Sequence, residues 1–294
     1  MLKDTLKDIS RNIIGNEFKI KISLAAIISD GHILIEDLPG TGKTTFAKAL
    51  TNSLNLKFQR IQFTSDLLPS DVLGFSFLKQ DKFEIKKGPI FTNIVLADEL
   101  NRASPKTQSA FLEAMEEKSV TIDRETFKLP DPFIVIATQN PSDLSGTSLL
   151  PESQLDRFMI SFALDDLTNE QQLNLLKNPN QFEVKMNNEV NMKDLITTKQ
   201  ININDNIYQY IQEIKKFILI NFPEIHISSR CLKQIVSISR SLAMINEKDY
   251  VTIQDIKDVI PYVLKHRINI IEKKNVTNFI KEEILDKINL PNDK

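Results

Sequence analysis

The chain has 294 residues, with 37 basic and 39 acidic side chains and a net charge of −2. This near-neutral total gives no general attraction for nucleic acid or an anionic membrane, although a local basic patch can exist within it. The single cysteine, Cys231, excludes an internal disulfide framework, favours a reducing compartment and is expected to be a buried thiol. Three scattered histidines show no metal-ligand spacing. The N-terminus is charged and no apolar run reaches about 18 residues, so we expect a cytoplasmic protein without a signal peptide or membrane span.

Five short apolar segments in the first part of the chain are typical of β-strands. They are HILIED (32–37), KFQRIQFT (57–64), NIVLADE (93–99), PFIVIATQN (132–140) and RFMISFAL (157–164). Three are almost continuously apolar, as expected for parallel strands covered on both faces. Helical patterns, such as TGKTTFAKALTNSL and SPKTQSAFLEAMEEKS, lie between them. We therefore predict a doubly wound α/β domain with a parallel five-stranded sheet.

Two segments interrupt this alternation and predict inserted β-hairpins. They are LGFSFLKQDKFEIKKG (73–88) and SVTIDRETFKLP (119–130). Each has apolar residues around a short polar turn, which is the pattern of two antiparallel strands.

The pattern becomes helical after about Asp166. Thr168 and Gln171 predict a capping box at the start of a first helix. Residues 177–206 are rich in Asn and Lys and predict a loosely packed connection. Further helices are expected at 205–220, 229–245 and 252–266, the last with a capping box of its own. The second domain is therefore predicted to be small and all-helical.

The stretch HILIEDLPGTGKTTFAKAL (32–50) contains most of a phosphate-binding loop between a predicted strand and a predicted helix. Free N–H groups and the helix dipole favour a phosphate at such a helix N-terminus. Lys43 would reach the β- and γ-phosphates of ATP, and the Thr44 hydroxyl would ligate Mg²⁺. A plain Gly/Pro turn is the alternative, but it does not explain the lysine. The residues expected to contact nucleotide are Pro39, Gly40, Thr41, Gly42, Lys43, Thr44 and Thr45.

Asp37 stands where the usual G-x-x-x-x-G-K-[ST] pattern has its first glycine. The backbone donors that wrap a phosphate lie further on, from Gly40 to Thr44. Aspartate also tolerates unusual turn angles. We therefore expect its carboxylate to point away from the phosphates, because like charges would oppose binding.

Polar residues end two other predicted strands at the same edge, since parallel strands share a carboxyl edge. Asp98 would hold the Mg²⁺ shell through water, and Glu99 would polarise the water that attacks the γ-phosphate. Asn140 would sense that phosphate. The alternatives are two solvated acids and an asparagine that caps the turn at Pro141.

Two arginines complete the set of candidates. Arg157 lies just before the fifth predicted strand, and Arg230 falls in the first turn of a predicted helix. A helix N-terminus disfavours a cation, so an anionic partner such as a phosphate would offset that cost at Arg230. The alternatives are a salt bridge from Arg157 to Asp156 and simple solvation of Arg230.

With these residues in hand, the sequence resembles the AAA+ ATPases and, within them, the MoxR family. The resemblance runs from about Ile14 to Ile268. Its most specific stretches are RIQFTSDLLPSDVLG (60–74), LADELNRASPKTQSAFLEAMEEKSVTID (96–123), PFIVIATQNP (132–141), LPESQLDRF (150–158) and KDYVTIQDIKDVIPYVLKHR (248–267). It implies an AAA+ core at 1–166 and a helical lid at 167–294, with the two hairpins as a helix-2 insert and a pre-sensor-1 hairpin.

The resemblance also implies a role for each candidate. Lys43 and Thr44 match Walker A, Asp98 and Glu99 match Walker B, and Asn140 matches sensor 1.

The two arginines match elements that act on ATP from different sides. Arg157 matches the arginine finger, which acts on ATP bound by the neighbouring subunit of a ring. Arg230 matches sensor 2, reaching ATP in its own subunit, although Ser229 stands where the family usually has proline.

Three further residues lie in family elements. Ile14 and Gly15 match a short element that packs near adenine, and Arg102 lies in an N-R-A element with an intersubunit or structural role.

The implied function is that of an Mg²⁺-dependent ATPase that remodels or activates a protein client. The resemblance also implies that the subunits assemble into a ring, and a hexamer is the ring expected. A von Willebrand factor A-domain protein is the expected partner, as a separate chain. A nucleic-acid-dependent motor is an alternative, which the net charge disfavours and the hairpin lysines Lys79, Lys82, Lys86 and Lys87 keep open. A metal-chelatase-like motor subunit and a nucleotide-gated binding module are the others.

Overall fold

The computed structural model describes residues 6, 9–10, 13, 15–37, 40–140, 150–177, 201–268 and 276–288. Within these ranges the strands are β1 (His32–Glu36), β2 (Phe58–Gln62), β3 (Gly74–Lys79), β4 (Lys82–Lys87), β5 (Ile94–Asp98), β6 (Ser119–Ile122), β7 (Glu125–Lys128), β8 (Ile134–Gln139) and β9 (Phe158–Phe162). Five of them form a parallel sheet in the order β2-β5-β8-β1-β9. The predicted five-stranded parallel sheet is confirmed.

The helices predicted from the sequence are present, together with others that were not predicted. They are α1 (Glu17–Ile28), α2 (Lys43–Ser53), α3 (Pro69–Leu73), α4 (Pro105–Glu117), α5 (Glu152–Leu155), α6 (Asn169–Lys177), α7 (Asp205–Asn221), α8 (Ser229–Ile245), α9 (Ile253–Leu264) and α10 (Val276–Phe279). The predicted capping box at Thr252 and Asp255 starts α9, and Ser104 caps α4 by accepting a hydrogen bond from the Thr107 N–H. The region predicted as a loose connection lies mostly outside the described residues.

The sheet is buried on both faces, which explains its continuous apolar strands. Along β1, Ile33 and Ile35 pack in the layer that includes α1, α2 and the lid helices, whereas Leu34 packs in the opposite layer with α4 and the hairpins. Every residue of β1, β5, β8 and β9 is buried. Functional side chains are therefore confined to the ends of these strands.

Both predicted hairpins are present. Strand β3 pairs with β4 and strand β6 pairs with β7, each antiparallel. Gln80 and Asp81 turn the first hairpin with φ of 46° and 62°, the left-handed angles that a two-residue hairpin turn requires.

The helical lid packs directly on the α/β core. Helix α8 lies against α1, where Lys21 donates to Asn246 at 3.1 Å and the hydroxyls of Ser29 and Ser241 are 2.7 Å apart. The apolar side chains of the lid helices and of one sheet face form a single cluster. No helix in the described ranges is both long and apolar enough to span a membrane.

Buried His32 fixes the C-terminal end of α4 beside the first residue of β1. Its Nδ1 accepts from the Val135 N–H at 3.0 Å, and its Nε2 lies 3.4 Å from the Met115 carbonyl. Burial lowers the pKa of His32 to about 4, so the ring is neutral at physiological pH. The end of α4 is thereby held at the edge of the sheet where the parallel strands begin.

Candidate functional site

The loop after β1 leaves room for an anion. Gly40 and Gly42 have φ of +84° and +90°, in the left-handed region that favours glycine, and a Cβ added to either would meet no atom of the described residues within 4 Å. Gly42 is the N-cap of α2, and within the described ranges no side chain caps this helix end. The loop therefore combines open space with a helix N-terminus, as a phosphate site requires.

Lys43, the first residue of α2, folds back over this loop. Its Nζ donates to the Asp37 carbonyl at 3.0 Å. Burial lowers the pKa of Lys43, while Asp98, Asp37 and Glu99 act in the opposite direction. The ammonium group is thus partly desolvated among carboxylates, where a phosphate would find a strong electrostatic partner.

Asp37 directs its carboxylate to the end of β9. Its Oδ2 accepts from the Leu164 N–H at 3.1 Å, and its own N–H donates to the Gln139 carbonyl at 3.1 Å. The side chain therefore ties the start of the loop to the neighbouring strand.

We expect Asp37→Gly to change ATP affinity by only a few-fold, about 1 kcal/mol, because the carboxylate bonds backbone at the sheet edge. Asp37→Asn, which keeps an acceptor for Leu164, is the matched control and should bind like the wild type. Titration with a fluorescent ATP analogue measures both. A hundredfold change would show that the carboxylate acts on the nucleotide.

Thr138 links the two predicted Walker B acids. Its hydroxyl donates to Asp98 Oδ1 at 2.6 Å and accepts from the Glu99 N–H at 2.9 Å. Glu99 has φ of 56°, an uncommon left-handed conformation for this residue type. Central strand β8 thus holds the acids in place as the chain leaves β5.

Both acids also contact groups on β2 that the sequence reasoning missed. Arg60 Nη2 lies 2.6 Å from Asp98 Oδ2, and the Gln62 side chain donates to Glu99 Oε2 at 2.9 Å. Arg102, predicted to have an intersubunit or structural role, lies 3.3 Å from Glu99 Oε2. Strand β2 is at the sheet edge, so its exposed side chains gave no sign in the sequence that they would meet β5.

Asn140 directly follows β8, which lies between β5 and β1 in the sheet. This order places it between the acids at the end of β5 and the loop after β1. A second group missed by the sequence reasoning supports the same edge: buried Glu36 accepts from Gln139 at 2.7 Å and from Ser161 at 2.8 Å. In the sequence, the sign of a role for Glu36 was that a charged residue stands in a mostly apolar strand.

Gly15 lies in a turn at this edge too. It has φ of +68° beside the Gln171 side chain, and the next residue, Asn16, accepts from the Asp165 N–H at 2.8 Å. Asp165 follows β9, near the residue that Asp37 contacts. Ile14 and Pro39, the other predicted nucleotide contacts of this region, lie outside the described residues.

The two candidate arginines converge on one carboxylate, Glu116, near the end of α4. Arg230 makes an ion pair with Glu116 Oε1, and Arg157 Nε lies 3.7 Å from Glu116 Oε2. Arg157 also donates to the Leu112 carbonyl. The salt bridge considered for Arg157 with Asp156 does not form; Asp156 binds Arg267 instead.

In this arrangement Arg230 lies away from the phosphate loop of its own chain, although the resemblance implies that it reaches ATP there. Arg157 immediately precedes β9, whose first residue pairs with His32, the first residue of β1. The phosphate loop follows the other end of β1. Arg230 therefore lies at the edge where the strands begin, with Arg157 and away from Lys43. The anionic partner expected for its helix position is Glu116.

The donor set fits a magnesium ion that arrives with nucleotide. Thr44 and Asp98 offer a hydroxyl and a carboxylate, which are the hard oxygen ligands that Mg²⁺ prefers, at the edge where the loop lies. In the part of the chain that the structure describes, no group of three His, Cys, Asp or Glu could hold a metal by itself. Phosphate oxygens and water would complete the coordination, as is usual for this ion.

A phosphate loop, paired acids at the same edge of the sheet and a helical lid define a nucleotide-binding AAA+ ATPase. The family described as "ATPase family associated with various cellular activities (AAA)" matches residues 32–160, and an AAA lid domain matches residues 224–288. A solved structure of a candidate ATPase from Cytophaga hutchinsonii has a TM-score of 0.86 and 36% identity, covering 99% of this chain and 94% of its own.

Two relatives narrow the class. YeaC of Bacillus subtilis, itself uncharacterised, is 40% identical over 280 residues, which cover 91% of this chain and 86% of YeaC. Chaperone MoxR1 of Mycobacterium tuberculosis is 32% identical over 283 residues, covering 91% of this chain and 75% of its own length. The chain belongs to the MoxR family of AAA+ ATPases.

Proposed function

We propose that this ATPase works as a ring in which each nucleotide is bound by one subunit and completed by arginines of the next. The observation that supports this is the separation of the candidates within one chain. Lys43, Asp98 and Glu99 lie at the carboxyl edge of the sheet, whereas Arg157 and Arg230 lie at the opposite edge.

The sheet itself sets the distance between the two groups. Five residues of β1 span about 16 Å at the usual rise per residue, so these arginines do not reach the loop of their own chain. Head-to-tail packing of identical subunits brings one edge against the opposite edge of a neighbour and closes into a ring. A hexamer is the ring we propose.

The division of labour within a site follows from the placements. Lys43 and the loop N–H groups hold the phosphates, while Glu99 accepts a proton from, and orients, the attacking water. Asn140 contacts the γ-phosphate from between them. Thr44 and Asp98 would hold a magnesium ion, which would supply positive charge to the phosphates. Arg157 and Arg230 of the neighbouring chain would balance the charge that develops in the transition state.

We further propose that hydrolysis remodels a protein client, with a von Willebrand factor A-domain protein as partner. The relative named as a chaperone supports a protein client. The β3–β4 hairpin also exposes large apolar side chains, which suits contact with protein. They are Phe75, Phe77, Leu78 and Phe83.

The hairpin lysines do not require nucleic acid. Lys79 pairs with Glu84 at 3.2 Å, and Lys86 lies 5.8 Å from the centre of the Phe75 ring. Lys87 lies between two aromatic rings, 4.9 Å from one centre and 5.0 Å from the other. Contacts within the chain account for these three cations, so the protein client is favoured over a nucleic-acid motor.

Ring assembly on nucleotide tests the proposal. With Glu99→Gln slowing hydrolysis, ATP and Mg²⁺ should convert smaller species into a ring in analytical ultracentrifugation, because bound ATP draws the neighbour's arginines to the interface. Lys43→Ala subunits should not assemble when they are alone, although they can join rings with subunits that bind ATP, and EDTA should dissolve the ring. A monomer that binds ATP tightly but never assembles would exclude a shared site.

A further inference from the structure

A partly buried polar junction joins the lid to the core beside both arginines. Asp156, the residue before Arg157, accepts from Arg267 Nε at 2.9 Å through Oδ1. Its Oδ2 accepts from the Ser228 hydroxyl at 2.9 Å. Arg267 ends the helical segment after α9, so the contact links parts of the chain 111 residues apart.

The Arg267 guanidinium is held on several sides. Its side chain is 4% exposed. Nη2 donates to the Phe158 carbonyl at 3.0 Å and to the Gln234 side chain at 2.6 Å, while Nη1 donates to the Val263 carbonyl. A planar fork with donors in fixed directions cannot be matched by another cation. The junction therefore fixes the backbone around residues 156–158, including Arg157.

Ser228 connects the same junction to Arg230. It is the N-cap of α8, where its hydroxyl oxygen accepts from the Cys231 N–H at 3.0 Å while its proton goes to Asp156. Arg230 lies in the first turn of that helix. The direction in which α8 starts, and with it the path of Arg230, is thus set by Asp156.

His266 strengthens the junction without adding charge. Its Nε2 lies 3.1 Å from the Phe158 carbonyl. Burial lowers the pKa of His266, and the positive charge of Arg267 lowers it further. A neutral ring can donate to this carbonyl without repelling the neighbouring guanidinium. The lid is consequently anchored to the start of β9 by two adjacent residues.

We infer that Asp156, Arg267 and Ser228 position Arg157 and Arg230 together for the neighbouring subunit's nucleotide. They are positioning residues, since they act through the arginines. Because the junction ties lid and core at the point between the two arginines, it holds Arg230 at a fixed position relative to Arg157. The inference rests on the proposed shared site and adds to it the residues that hold the two arginines in position.

Two variants test the junction. Arg267→Lys keeps the charge and removes the fork, and Ser228→Ala removes the hydroxyl that connects α8 to Asp156. Asn204→Ala is the matched control, because Asn204 caps another lid helix, α7, and does not contact the junction. We expect each junction variant to lower turnover about tenfold to a hundredfold, with KM for ATP changed less than about threefold, and the control to keep wild-type turnover.

Mixed rings provide the readout that a general loss of stability would not produce. Lys43→Ala subunits lack the phosphate lysine but supply arginines, whereas Arg157→Ala subunits do the reverse. Arg267→Lys should recover turnover when mixed with Lys43→Ala and should not recover it when mixed with Arg157→Ala. Ser228→Ala should fall in the same group.

The outcomes distinguish a failure of the junction's positioning role from a failure of the proposed shared site. If Lys43→Ala and Arg157→Ala do not complement each other, the shared site and this inference are both wrong. If they do, and Arg267→Lys is rescued by Arg157→Ala or retains wild-type turnover, only the inference is wrong. Thermal unfolding checks each variant, and Ser228→Ala decides the question if Arg267→Lys does not fold.

Discussion

Replacing Glu99 by Gln is expected to lower ATP turnover at least about a hundredfold and leave ATP affinity within a few-fold of the wild type. The amide keeps the size of the side chain but cannot accept the proton of the attacking water. Contacts with Gln62 and Arg102 at Oε2 show that the carboxylate is already oriented by neighbours on β2 and after β5. Steady-state phosphate release and equilibrium nucleotide binding measure the two quantities.

Glu113→Gln is the control for this variant, because Glu113 is an exposed acid on α4 outside the site. It should hydrolyse ATP at the wild-type rate. Equal turnover in Glu99→Gln and the wild type would remove Glu99 from the mechanism. A large loss of ATP binding in Glu99→Gln would mean that the side chain supports the fold of the loop.

The second large effect concerns the arginine pair. Arg157→Ala and Arg230→Ala should each suppress hydrolysis, by up to about a thousandfold for Arg157, while nucleotide still binds. Each should regain activity when mixed with Lys43→Ala subunits, because a ring then contains interfaces with one intact loop and one intact arginine edge. Turnover measured across a range of mixing ratios checks this.

The Arg230 variant distinguishes two arrangements: Arg230 acts on ATP in its own subunit, or it acts on ATP in the neighbouring subunit. If Arg230 acted on the nucleotide of its own chain, every site in a ring of Arg230→Ala and Lys43→Ala subunits would be defective. Mixing these two variants would then not restore turnover. The place of Arg230 beside Arg157 at Glu116 predicts recovery instead. Arg240→Ala is the control, since this lid arginine contacts the exposed Tyr208 and not Glu116. Absence of recovery for both variants would argue against sharing between subunits.

The tie to Glu116 also gives the isolated subunit a defined resting arrangement. One carboxylate, 36% exposed, holds both cations near the end of α4. Exposed ion pairs are weak, so in the proposed ring a neighbour's triphosphate, with its higher charge, would displace Glu116 at little cost. Glu116 thus holds Arg157 and Arg230 close together through contacts that are easily broken.

The local signals of the sequence predicted much of the architecture. Continuous apolar strands, capping residues such as Ser104 and Thr252, and the polar turns of the hairpins each depend on neighbours a few residues away. The loop ending in Lys43 and the acids at the end of β5 were also predicted to share one edge, because parallel strands deliver their ends to one edge whatever the rest of the fold does.

Contacts across the sheet could not be predicted in this way. Arg60 reaches Asp98 across 38 residues, and Glu116 is 114 residues from Arg230. Neither pair follows a helical or strand period. The direction of the Asp37 carboxylate likewise depends on the Leu164 N–H, which only the pairing of β1 with β9 brings near.

The sequence by itself determined that this protein has a parallel α/β core, a helical lid and a loop suited to a triphosphate, since each is specified by short-range pattern and backbone chemistry. Tertiary structure alone decided where the arginines lie. How the lid docks on the core depends on the long-range junction of Asp156, Ser228 and Arg267, and this docking places Arg230 with Arg157 at the edge opposite the loop.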